Sequence, residues 1–81
     1  MTNHNPHTDR HPLVIALKGR RLALGLTQRQ LADRLDTTQA TVSDLETGRY
    51  RPTLRTIDRW ARALDCELVL VETGNDLGAT R

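Results

Sequence analysis

The chain has 81 residues and a net charge of +2 from twelve Lys/Arg and ten Asp/Glu, enough for one small domain and too little for a second. Its only aromatic residues are Trp60 and Tyr50, so the core is expected to be aliphatic. The single cysteine, Cys66, excludes an internal disulfide, a thiolate-rich zinc site and an intramolecular redox pair. No apolar run approaches the roughly 18 residues that span a bilayer. The opening MTNHNPHTDRHP has no apolar segment of the kind a signal peptide carries, so a soluble, cytoplasmic protein with no membrane partner is expected. The charge is uneven. Residues 65–81 hold Asp65, Glu67, Glu72 and Asp76 against Arg81, a net of −3 that leaves +5 on residues 1–64. The basic part is where a polyanion would bind.

Residues 1–11 are polar and aperiodic and read as a disordered arm. His4, His7 and His11 would need a fixed geometry to hold a metal, and such an arm lacks one, so no metal site is expected. From Pro12 the pattern turns helical, with Pro suited to a first turn and Leu13, Leu17 and Leu24 four and seven residues apart, until Gly25 stops it. Thr27 reads as the N-cap of a second helix, Gln28 to Leu35, with Leu31, Ala32 and Leu35 on its apolar stripe. Thr38 caps a third, from Gln39 to about Thr47, ended by Gly48. Leu54, Ile57, Ala61 and Leu64 mark a fourth, running to about Leu64 with Trp60 flanking its apolar face. CELVLVE then alternates, with Cys66, Leu68 and Leu70 on one side and Glu67, Val69 and Val71 on the other, the pattern of a strand over 66–72. Residues 73–81 read as a frayed tail.

The third helix is the odd one. Within TTQATVSDLETGRYRP, from Thr37 to Pro52, only Val42 and Leu45 are plainly apolar, so a helix here buries one narrow stripe and turns a polar surface outward. Two short helices joined by a tight turn, the second polar on its outside, allow one helix to brace on a DNA backbone while the next enters the major groove. Gln39, Ala40, Ser43 and Asp44 project from the exposed N-terminal part of the third helix and are the candidate base readers. Gln matches the N6 and N7 edge of adenine, Ala a thymine methyl, Ser either partner, and Asp the N4 amine of cytosine. For Asp44, simple solvation is an equal alternative.

The stretch LTQRQLADRLDTTQATVSDLETGRYRPTLRTIDRWARAL, with LKGRRLALG before it, resembles the Cro/C1-type helix-turn-helix family, also called the XRE family, over about Leu13 to Leu64. The carrying features are the LTQ opening, LA two residues further on, a Thr/Gln-led third helix, Leu-Glu-x-Gly, and a Pro four residues after that Gly. The resemblance implies a mostly α, lambda-repressor-like domain of four to five helices over residues 12–65, ahead of the C-terminal β-strand that the alternation marks. It also implies a sequence-specific, double-stranded-DNA-binding transcriptional regulator that needs no cofactor. Gln28 would touch a phosphate and brace Gln39. Arg21 and Glu46 would form an ion pair locking the first helix to the third, with Arg21 also near the DNA backbone. Thr41, Arg49 and Arg51 would contact phosphates. Asp36 departs from the family, which often has Gly in that turn; a positive φ would cost Asp more than Gly and less than a bulky residue.

A lone strand leaves its backbone groups without partners, so residues 67–71 (Glu67, Leu68, Val69, Leu70 and Val71) are expected to pair with a second copy in a homodimer on a palindromic operator. Some antitoxin-type relatives similarly append such a strand. A repressor, an antitoxin that binds a cognate toxin, and a protein-interaction module with weak DNA binding are the readings in play. Arg20, Arg29 and Arg34 read as surface charges. Glu46 has no second acid, nucleophile or glycine-rich phosphate loop beside it, so no enzyme is expected.

Overall fold

The computed structural model describes residues 11–72. The expected tail, and all of the expected arm except His11, lie outside the described residues. Four α-helices make up this part: α1 (Pro12–Ala23), α2 (Gln28–Leu35), α3 (Gln39–Thr47) and α4 (Leu54–Ala63). His11, assigned to the arm by its polarity, belongs to the folded part, because its Nδ1 accepts from the Leu13 N–H at 3.0 Å and caps α1. Thr27, Thr38 and Thr53 cap the other three helices. At α2 the cap is reciprocal: the Gln30 N–H donates to Thr27 Oγ1 (3.0 Å) and the Thr27 N–H to Gln30 Oε1 (2.8 Å).

All four helices also stop in the same way. The chain passes through one left-handed residue, and the next N–H donates back to a carbonyl five residues earlier. The left-handed residues are Gly25 (φ 72°), Asp36 (56°), Gly48 (76°) and Asp65 (60°). The returning bonds run from Leu26 to Arg21 O (3.1 Å), Thr37 to Ala32 O (2.9 Å), Arg49 to Asp44 O (3.0 Å) and Cys66 to Ala61 O (2.8 Å). Asp36 thus holds positive φ where the family resemblance would favour Gly.

Three arginines finish these helix ends. Arg20 Nε donates to Leu64 O (3.1 Å) and Arg34 Nη1 to Ala63 O (2.8 Å), so α1 and α2 both grip the C-terminus of α4. Arg59 Nη2 donates to Leu35 O (3.1 Å) at the end of α2. Arg20 and Arg34 are therefore structural contacts and not the plain surface charges their composition suggests; cations at helix C-termini also sit favourably in the helix dipole.

The core joins Val14 and Leu17 of α1, Leu31, Ala32 and Leu35 of α2, Val42 and Leu45 of α3, and Ile57, Trp60 and Ala61 of α4, with Leu64 behind them. α2 packs on α3 and α4, and α1 packs on the same two. Trp60, on the flank of the apolar stripe and expected in the core or at a dimer contact, is fully buried in the core.

Among the described residues there is no strand. Cys66 and Leu68 pack against the core, following the expected alternation, but Val69, Leu70 and Val71 are 68%, 98% and 71% exposed. A single chain offers the backbone of this segment no neighbour with which to form a ladder.

Candidate nucleic-acid interface

α3 owes its placement to three inward residues, Val42, Leu45 and Glu46, each no more than 1% exposed. Helical geometry then turns Ala40, Ser43 and Asp44 away from that stripe, while Gln39, seven residues before Glu46, lies on its flank at the open N-terminal end of the helix. Gln39 and Ala40, in the first turn, are exposed, while Ser43 and Asp44 are half-buried. The four expected base readers therefore lie on the part of α3 that the core leaves uncovered.

Behind that face runs a chain of polar contacts through three helices. Arg21 of α1 donates from Nε to Glu46 Oε2 (2.6 Å) and from Nη2 to Glu46 Oε1 (3.0 Å), a two-pronged ion pair whose residues are 6% and 1% exposed. Arg21 Nη1 donates to Leu26 O (2.6 Å), in the turn before α2. Gln28 Nε2 of α2 donates to Glu46 Oε1 (3.1 Å), and Gln39 Nε2 of α3 reaches Gln28 Oε1 at a long 3.5 Å. Burial of this pair in place of apolar side chains adds little stability on balance, but breaking it strands a charge. Its effect on the site is geometric: it ties the start of α2 and the outer face of α3 to α1.

The remaining expected contact residues behave differently. Arg21, expected also beside the DNA backbone, is buried with three donors committed inside the protein, so it acts here as a support. Arg49 turns back onto α3, its exposed side chain placing Nε 3.4 Å from Oδ1 of the half-buried Asp44. Thr41 is half-buried and shares a hydroxyl contact of 3.0 Å with its cap residue Thr38. Arg51 is exposed in the loop after α3. Sequence reasoning missed the Gln28 to Glu46 bond. The two residues lie 18 apart on different helices, and no spacing rule connects them. Among the described residues no group of three or more His, Cys, Asp or Glu could hold a metal ion.

Residues 17–71 match the Helix-turn-helix family. The chain is 47% identical over 51 residues to an uncharacterized HTH-type transcriptional regulator of Methanothermobacter thermautotrophicus, an alignment covering 63% of this chain and 74% of that relative. Among solved structures it resembles a chain of one described as "Structure of HipA-HipB-O2-O3 complex", with a TM-score of 0.68, 28% identity and coverage of 91% of this chain and 99% of that one. A structure described as "MDT Protein" gives a TM-score of 0.68 at 27% identity, covering 91% and 99%. With a polar α3 displayed on a buried ionic support, and a family match spanning most of the described residues, the chain belongs to the Cro/C1-type helix-turn-helix family of DNA-binding transcription regulators.

Proposed function

We propose that the protein is a dimeric repressor that reads a palindromic operator through α3, with Gln39, Ala40, Ser43 and Asp44 at base edges. The observation that carries this reading is Gln39: an exposed amide in the first turn of α3, held from behind by Gln28, Glu46 and Arg21. Gln28, Thr41, Arg49 and Arg51 supply phosphate contacts, Arg49 after exchanging its Asp44 partner for DNA. Arg21 contributes by holding Glu46 and the turn before α2. Residues 67–71 pair with a second copy, a role favoured by the exposure of the three consecutive apolar residues Val69, Leu70 and Val71. Two-fold pairing sets the α3 helices about 34 Å apart, one turn of DNA.

The likeness to a chain of the HipA-HipB-O2-O3 complex favours a second role beside the first, that of an antitoxin whose partner is a protein toxin. Co-expression with the product of the adjacent gene tests it. A stable complex that relieves growth arrest supports the antitoxin role, and a neighbour that neither binds nor arrests growth removes it.

The repressor reading is tested by selecting duplexes from a random-sequence pool at two salt concentrations, with the native chain and Gln39→Ala in parallel. Enrichment of a palindrome that Gln39→Ala abolishes is the expected result. Salt-sensitive binding with no enriched sequence would reduce the protein to a basic surface and favour an interaction module.

A further inference from the structure

A carboxylate gripped by two guanidinium N–H groups can only accept hydrogen bonds. Gln28 must therefore turn its NH2 toward Glu46, at 3.1 Å, which leaves its carbonyl for Gln39. That oxygen also only accepts, so Gln39 must turn its own NH2 inward, where Nε2 lies 3.5 Å from Gln28 Oε1. Each amide has two ends, and at each step the buried charge decides which end faces which way. Resting on the DNA-reading role of Gln39 argued above, we propose that Glu46, which is itself 1% exposed and cannot reach DNA, is a positioning residue that sets the polarity of the reading amide. Gln39 is left presenting Oε1 as an acceptor and its second N–H as a donor. That pair matches the N6 amine and N7 of adenine and mismatches guanine, whose O6 and N7 both accept.

The consequence separates polarity from mere support. Gln28→Lys places a group with donors only between Glu46 and Gln39. The ammonium keeps the link to Glu46 but obliges Gln39 to turn Oε1 inward and its NH2 outward, the arrangement that suits guanine. Gln28 is half-buried at the start of α2, so this variant is expected to fold. A second variant, Arg21→Met combined with Glu46→Gln, replaces the ion pair with neutral groups of similar size, and its amide can offer Gln28 either end.

The experiment is selection from a random duplex pool by the native chain, Gln39→Ala, Gln28→Lys and the double variant, with folding checked by thermal melting. The base read by Gln39 is the position whose preference Gln39→Ala erases. At that base the native chain is expected to enrich adenine, and Gln28→Lys to lower the ratio of adenine to guanine by about ten-fold or more. The double variant is expected to flatten the preference there while the other positions of the site keep theirs. A purely structural role for Glu46 predicts weaker binding with an unchanged base profile, and that outcome overturns the inference. So does native adenine enrichment that persists in Gln28→Lys. If the native chain enriches no sequence at all, the DNA-reading role itself falls and takes the inference with it.

Discussion

Removing one member of the Arg21 and Glu46 pair leaves a full charge at a site closed to water, a loss of about 3–5 kcal/mol in comparable buried pairs. For a chain of this size that is a large share of the roughly 5–15 kcal/mol a domain has. Glu46→Ala is therefore expected to unfold much of the population at room temperature, read as a collapsed urea midpoint. Gln39→Ala should behave in the opposite manner. Its side chain is exposed, so stability should change by less than about 0.5 kcal/mol, while binding to the selected operator weakens by about 1–3 kcal/mol. The two substitutions act 7 residues apart on one helix, and only their burial distinguishes them. Equal effects of both on stability would contradict the view that α3 has a buried support and an exposed reading end.

At the scale of the element, short helices depend on their ends. α2 has 8 residues and α3 has 9, lengths at which an isolated helix is unstable in water. The shared left-handed stop and the arginine contacts supply what local propensity does not. Asp36 occupies a left-handed position that Gly takes at lower strain, so Asp36→Gly is expected to raise stability by about 0.5 kcal/mol, after the greater freedom of the unfolded Gly is subtracted. Gly19 lies inside α1, and a Cβ placed on it meets nothing within 4 Å. Gly19→Ala should stabilise by about 0.5–1 kcal/mol. Chemical denaturation measures both, and a loss of stability at position 19 would mean that α1 meets a partner there in solution.

For the whole molecule the test falls on residues 69–71, the exposed apolar run close to the end of the described chain. Leu70 is 98% exposed, so Leu70→Glu should leave the melting of a monomer unchanged. In a strand-paired dimer it places two carboxylates in the new sheet and should drive dissociation, visible by sedimentation at micromolar concentration. Operator affinity should fall with it, because two half-sites are then bound independently. A dimer that withstands Leu70→Glu would place the two-fold interface elsewhere.

Helix positions, the threonine caps at 27 and 38 and the glycine stops at 25 and 48 were legible in the chain because each rests on residues within about four positions of one another. The outward set at 40, 43 and 44 was legible for the same reason: helical period alone turns it away from Val42 and Leu45, while Gln39 lies outward because it opens the helix. The pairing of Arg21 with Glu46 came from family resemblance, since the two are 25 residues apart. The arginine contacts on Leu64, Ala63 and Leu35, separated by 44, 29 and 24 residues, needed the tertiary structure, because a guanidinium finds a distant carbonyl only after the chain has folded back. The same holds for the link from Gln28 to Glu46. The sequence by itself determined where the helices lie and which face of α3 looks outward. Only tertiary structure decided how a buried carboxylate orients the amides that lead to that face, since hydrogen-bond polarity passes through space from one helix to the next.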